Sequence, residues 1–200
     1  MKIKQLNLLL ILLLTQVGNS QTIVNITIPY GYPEQGKYYK DIFEAYEPFI
    51  GTWVFTQDGK MLKIELKKQF YQDSEYSMDY LVGEYQYMES GVEKINTLPL
   101  LSNNSISVYD RNIHGSNFMG IYNKPPCLEC DTSIRMVGIF ITDPNIPYLS
   151  GSSRTNFVCI KADNHNKMII NFYSTSMDLP TETSPNSFTV PEKQYILTKQ

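Results

Sequence analysis

An all-β domain, an antiparallel barrel or barrel-like sandwich, is the fold class this sequence predicts, and three observations predict it. Apolar and polar residues alternate over many short runs, the two-residue period of a half-buried strand. Gly, Pro, Asn and Asp punctuate those runs at short intervals. Beyond the first 20 residues, no stretch keeps a helical period for more than a turn or two.

The N-terminus comes first. Lys2 and Lys4 precede the apolar run Leu6 to Leu14, and Gly18 and Ser20 follow at the spacing a signal peptidase accepts. This is the pattern of a secretory signal peptide over residues 1–20, with cleavage before Gln21. The apolar run falls well short of the ~20 residues a spanning helix needs, so no membrane span is expected after cleavage. No cysteine stands at the cleavage point to take a lipid. A secreted or periplasmic chain is the expectation.

Residues 21–40, QTIVNITIPYGYPEQGKYYK, mix a brief apolar alternation with Pro29, Gly31, Pro33 and Gly36, and predict an extended N-terminal arm. A single antiparallel β domain then occupies residues 41–200. It opens on DIFEAYEPFIG, where Ile42, Phe43, Tyr46 and Phe49 have near-helical spacing and Pro48 ends the run, giving a short helical turn before the first strand.

The stretch GTWVFTQDGKMLKIEL is the most informative in the chain. Asp58-Gly59 is the pair that a type I′ turn requires, and it sets Phe55 against Leu62 and Trp53 against Ile64. The same register sets Val54 against Lys63 and Thr52 against Glu65. One face is then apolar and the other mostly polar, so turn chemistry and alternation agree. YLVGEYQYM, Tyr80 to Met88, predicts the next strand, turning through ESG into VEKIN. A three-residue loop would oppose Tyr85 and Ile95, and a two-residue Ser90-Gly91 loop would shift the register by one. Further strands are predicted at SISVY (Ser105 to Tyr109), NFMGIY (Asn117 to Tyr122), IRMVGIFIT (Ile134 to Thr142), TNFVCIKA (Thr155 to Ala162), MIINFY (Met168 to Tyr173) and QYILTK (Gln194 to Lys199). Trp53, Phe55, Leu62, Ile64 and Tyr85 are the predicted core.

Composition narrows the partners. The chain has 17 Lys+Arg against 20 Asp+Glu, and loss of Lys2 and Lys4 with the leader leaves 15 against 20, a balance of −5. Nothing in that balance attracts nucleic acid or an anionic membrane. Fifteen tyrosines and nine phenylalanines beside a single tryptophan suit pleated strands, where a ring packs while its hydroxyl reaches water.

Two resemblances enter on these residues. The helical turn followed by Phe49-Ile50-Gly51-Thr52-Trp53, with QYILTK as closing strand, resembles the Gly-x-Trp opening and last strand of lipocalin and fatty-acid-binding (calycin) barrels. The sequence departs from that pattern in the irregular insert around IYNKPPCLECD. Over most of the chain, Tyr39-Lys40-Asp41, FIGTWVF and YLVGEYQYMESGVEKINTL resemble a family of small exported Bacteroidetes proteins, domain of unknown function 6705. That resemblance implies export and a β-rich fold, and carries no catalytic residues with it.

Candidate chemistry is sparse. Cys127-Leu128-Glu129-Cys130 is a C-x-x-C, and Cys159 is the third cysteine. A thioredoxin-like site needs the pair to open a helix after a strand, but here Pro125-Pro126 precede it and strand-like sequence follows. In an exported chain a disulfide is expected, Cys127 to Cys130 or one of them to Cys159, leaving one thiol over. A zinc site would have to combine the three cysteines with His114 or His165, and no paired ligand spacing supports one. His114 lies near Asp110 and Ser116, but the closest string to a nucleophile elbow, LSGSSR at Leu149 to Arg154, lacks the second glycine. Lys60, Lys63, Lys67 and Lys68 read as a charged outer face of the hairpin. No catalytic residue, metal or cofactor is assigned.

The leading expectation is a non-enzymatic exported β-domain of unknown role, for which a small apolar or amphipathic molecule is the natural class of ligand if it binds one. The alternative is an interaction module contacting an envelope or surface protein through its tyrosines and arm. An enzyme ranks third. A carrier requires an internal cavity of at least ~300 Å³ open at one end. A filled interior with an exposed aromatic patch marks the interaction module.

Overall fold

Asp58 and Gly59 both adopt positive φ, 52° and 72°, the left-handed pair of a type I′ turn. They join β3 (Gly51–Gln57) to β4 (Lys60–Gln72). The expected register is the observed one: Gln57 opposes Lys60, Phe55 opposes Leu62, and Trp53 opposes Ile64. The computed structural model that shows this describes residues 21–28, 31–120, 134–147, 153–163, 166–172 and 188–200. Its remaining strands are β1 (Thr22–Asn25), β2 (Lys37–Lys40), β5 (Ser77–Glu89), β6 (Val92–Asn96), β7 (Ile113–Phe118), β8 (Ile134–Pro147), β9 (Ser153–Asp163), β10 (Lys167–Phe172) and β11 (Lys193–Lys199).

From β3 onward each strand pairs antiparallel with the next, with β6 set aside. β11 then returns to β3, placing Thr198 against Val54 and Lys199 against Trp53. The eight strands β3, β4, β5, β7, β8, β9, β10 and β11 close an antiparallel up-and-down barrel.

β5 is the strand that organises the rest. One edge pairs with β4 along all of its length. The other is divided among three partners: Ser77 and Met78 pair with β2, Leu81 to Gly83 with β7, and Gln86 to Glu89 with β6. Two glycines allow close approach elsewhere in the wall, Gly83 of β5 to β4 and Gly115 of β7 to β8. A Cβ on Gly83 would strike the Glu65 carbonyl oxygen, and one on Gly115 would strike the Gly138 carbonyl oxygen.

Several expectations need correction. SISVY is not a strand, since 3-10 turns at Leu98–Ser102 and Val108–Asp110 carry the chain across the barrel's outer wall. The extended arm has partners the sequence did not disclose: β1 and β2 pair in parallel, and β2 adds to β5. The loop after β5 is the two-residue Ser90-Gly91, with φ of 52° and 78°. A bulge then sets Ile95 opposite Tyr87 instead of Gln86, returning the one buried side chain of β6 to the inner face. Residues 41–50 form turns, and the short helical turn expected there is seen where the Ile50 amide donates to Tyr46 O at 3.2 Å, four residues back.

The four hairpin lysines do not share one face. Lys63 and Lys67 point outward, whereas Lys60 and Lys68 have the parity of Leu62 and Leu66 and sit near the two ends of the barrel.

Candidate functional site

Among the described residues, the inward side chains are buried against one another. Trp53, Leu81, Ile113, Ile160, Met168 and Leu197 each show 0% exposure, and Leu62, Ile64 and Tyr85 show 2% or less. A void large enough for a water molecule would leave accessible surface on its walls, and these walls have essentially none. Trp53 packs above the 41–50 turn, and its indole N–H donates to Phe49 O at 2.6 Å. Tyr46 fills the space beside it, 5.0 Å from the Phe118 ring. Phe55 is also in the core, toward the opposite end.

Aromatic residues that do not fit inside collect on the outer wall. β4 and β5 run past Gly51, the last β3 residue that pairs with them, as a projecting hairpin. Tyr71 and Tyr80 stand on its outer face, Tyr76 lies at its turn, and Tyr109 of the second 3-10 turn lies over them. Tyr71 contacts Tyr76, Tyr80 and Tyr109 at centroid distances of 5.8, 5.9 and 5.1 Å. The run continues from Tyr109 to His114 at 5.8 Å and from His114 to Phe140 at 5.5 Å. Tyr109 is 47% exposed and Phe140 43%, so the run is a surface.

Hydroxyls tie this surface together. Tyr109 Oη lies 2.9 Å from both Tyr76 Oη and Tyr80 Oη. Burial, then the bond to Tyr109, pushes the Tyr76 phenol up to about 12, and the same two causes raise Tyr80 further. Tyr76 and Tyr80 are therefore neutral donors and acceptors at neutral pH. Tyr71 Oη donates to Asp73, which also accepts the Tyr76 and Glu75 amides. Those two amides, Tyr76's first, hold the Asp73 carboxyl below its ordinary range, so it is ionised. Asp73, Glu75 and Asp110 are exposed around the tyrosines.

His114 is kept neutral by burial, which lowers its pKa against the opposing effects of Arg111 O and Asp110. Its Nδ1 lies 3.3 Å from Arg111 O. A carbonyl only accepts, so Nδ1 carries the proton.

The strap that carries Tyr109 is anchored by buried charge. Arg111 Nη1 donates to Leu100 O and Nη2 to Asn103 O, each at 2.5 Å, and Nε donates to Gln69 at 3.3 Å. Its guanidinium is 3.7 Å from Glu84 Oε1, with both side chains 0% exposed. Asn112 donates to the other Glu84 oxygen at 2.7 Å. Lys67 Nζ donates to Leu101 O at 2.8 Å, and burial, followed by Arg111, lowers its pKa. The strap thus spends its carbonyls on barrel and strap cations, the satisfaction that buried backbone requires.

The arm is fixed in the same manner. Asp79 accepts from Tyr38 Oη at 2.8 Å and from the Asp41 amide at 2.9 Å, and Asp41 accepts from the Ala45 amide at 2.6 Å. The Asp41–Asp79 pair is structural, each oxygen being taken by a donor of the arm or turn.

The remaining candidates separate. Cys127 and Cys130 lie outside the described residues, as do His165 and most of LSGSSR. The Cys159 backbone is in β9, opposite Gly138 and Asn171. Among the described residues no cluster of His, Cys, Asp and Glu could hold a metal, and no helix is long and apolar enough to cross a membrane. The tyrosine run was hidden from pattern reading, because Tyr109 sits in a segment with strand-like alternation and meets Tyr71 only through the strap's path.

The architecture defines the class: a closed, eight-stranded, antiparallel barrel with an outer strap and a docked N-terminal arm. The chain belongs to the family of unknown function DUF6705, whose sequence profile matches residues 1–200. No curated protein and no solved structure matches it. The Gly51-Thr52-Trp53 likeness to lipocalins therefore has no confirming structural relative.

Proposed function

We propose that this protein is an exported, non-enzymatic recognition module that binds a protein segment rich in arginine through the tyrosine face of its projecting hairpin. The carrying observation is the continuous run from Tyr76 through Tyr71, Tyr109 and His114 to Phe140, with Tyr109 and Phe140 close to half exposed. Tyrosine offers large contact area at small entropic cost, and such residues dominate protein interfaces. The acidic rim of Asp73, Glu75 and Asp110 selects the partner's charge, and guanidinium groups both stack on rings and pair with carboxylates. Burial of Trp53, Leu62, Ile64 and Tyr85 argues for the surface over a ligand held deep in the barrel, and the leader-like pattern of residues 1–20 supports an envelope or extracellular setting.

The test is titration with an Arg-Gly repeat peptide alongside its Lys-Gly and Glu-Gly counterparts, followed by calorimetry and by the tyrosine ring signals in NMR. The arginine peptide should bind most tightly and the glutamate peptide not at all. Tyr109→Ser combined with Phe140→Ser should weaken binding at least about tenfold, the loss of ~1.4 kcal/mol. Equal binding of all three peptides, or full binding by the double variant, refutes the reading.

A further inference from the structure

We propose a second binding site at the opposite end of the barrel, beside the Asp58-Gly59 turn, for a small carboxylate with an apolar body. The Tyr87 hydroxyl is the first observation. Tyr87 is 0% exposed and faces inward beside Leu62, yet its Oη has no hydrogen-bond partner. An unpaired buried hydroxyl is costly and uncommon, and calls for an acceptor that is supplied from elsewhere.

Lys193 is the second. Its Nζ stands 4.6 Å from the Phe55 centroid and 4.9 Å from that of Tyr195, two rings in edge contact at 5.0 Å. Among the described residues no carboxylate lies within ion-pair distance of it. Glu89, the nearby acid, is taken by Lys60 at 3.2 Å. The Tyr195 hydroxyl is likewise committed, donating to Pro191 O at 2.7 Å. Phe55, Leu62 and Tyr87 stand in one cross-strand row of β3, β4 and β5, and Tyr195 with Lys193 lies against the Phe55 end of that row, so these groups share one end of the barrel. Among the described residues, this end therefore has a cation and a phenol with donors to spare over an apolar floor of Phe55, Leu62 and Tyr195.

A carboxylate is the group that would accept from both donors, its oxygens taking the ammonium at the mouth and the phenol below it. Lys193 is partly exposed, and rotation of its methylenes off the two rings would free their apolar surface for the ligand's body while its ammonium stays at the mouth. The packing behind Leu62 and Ile64 limits that body to a short chain or a single ring.

Octanoate is the probe, with octanol and acetate as controls, measured by thermal midpoint and by the ring signals of Phe55, Tyr87 and Tyr195. Octanoate should raise the midpoint, and neither control should do so at the same concentration. Lys193→Gln and Tyr87→Phe should each weaken octanoate binding about tenfold. Tyr87→Phe should also raise the midpoint without ligand, since it removes the unpaired hydroxyl. That rise separates lost binding from lost folding. Tyr109→Ser should leave octanoate binding intact, so this site and the tyrosine face stand or fall separately. No shift with octanoate, an equal shift with octanol, or unchanged binding by both variants overturns the proposal.

Discussion

At the scale of the residue, Trp53 shows how one side chain couples core and plug. Its ring is wholly buried, its N–H is spent on Phe49 O, and Lys199 Nζ lies 5.4 Å from its centroid. Trp53→Ala should cost about 3–5 kcal/mol in chemical denaturation, the range for emptying a large aromatic site. Trp53→Phe should cost less, with the remainder traceable to the Phe49 carbonyl left unpaired. An unchanged midpoint for Trp53→Ala would contradict the burial. His114 gives the pH counterpart. Burial lowers its folded pKa below 6.5, so the unfolded chain binds the proton first as pH falls. Stability should therefore fall on acidification from about pH 7 through the unfolded value near 6.5 toward the folded one. His114→Gln should flatten the slope over that window, measured as denaturation midpoint against pH, and an equal slope in the variant would assign the dependence elsewhere.

At the scale of the element, the strap is the part whose stability rests on charge. Arg111 and Glu84 are both fully buried, and a buried pair contributes little net while its broken form costs much. Arg111→Ala should cost about 3–5 kcal/mol and release Tyr109 from the hydroxyls of Tyr76 and Tyr80. Arg111→Met with Glu84→Leu should recover most of the loss, because it leaves no stranded carboxylate. A double variant as unstable as the single one would show that the carbonyl contacts to Leu100 and Asn103 matter more than the pair. Elements differ in the same way in how far sequence discloses them. The β3–β4 hairpin was legible because Asp58-Gly59 and two-residue alternation demand one register. The strap was not: Ile106 and Val108 alternate as in a strand, but the segment lies on a wall already formed by β4 and β5, where Arg111, Lys67 and Gln69 take carbonyls that a strand would have paired. The bulge that sets Ile95 against Tyr87 was open for a related reason, since turn chemistry alone permits two loops and only burial of the isoleucine decides.

At the scale of the whole molecule, closure of the ring is the cooperative event. The joint between β11 and β3 is short, with Thr198 opposite Val54, Lys199 opposite Trp53, and the Gln200 amide donating to Thr52 O at 3.0 Å. Yet β11 also supplies Tyr195 and Leu197 to the interior, both 0% exposed, and all of β10 pairs with it. Deleting residues 193–200 should therefore do more than fray an end. It uncovers apolar walls and leaves β3 and β10 with open edges, the condition that promotes pairing between chains. The truncated protein should lose its cooperative denaturation transition, bind a hydrophobic dye and aggregate. Ile196 offers the control, since it lies on the same strand, points outward and is 53% exposed. Ile196→Ser should leave the midpoint within about 0.5 kcal/mol of the parent, the usual effect of a surface change. Cooperative unfolding of the truncated chain at the parent midpoint would mean that the barrel is held by β3 to β10 alone, and that the last strand is an addition to the ring instead of its keystone.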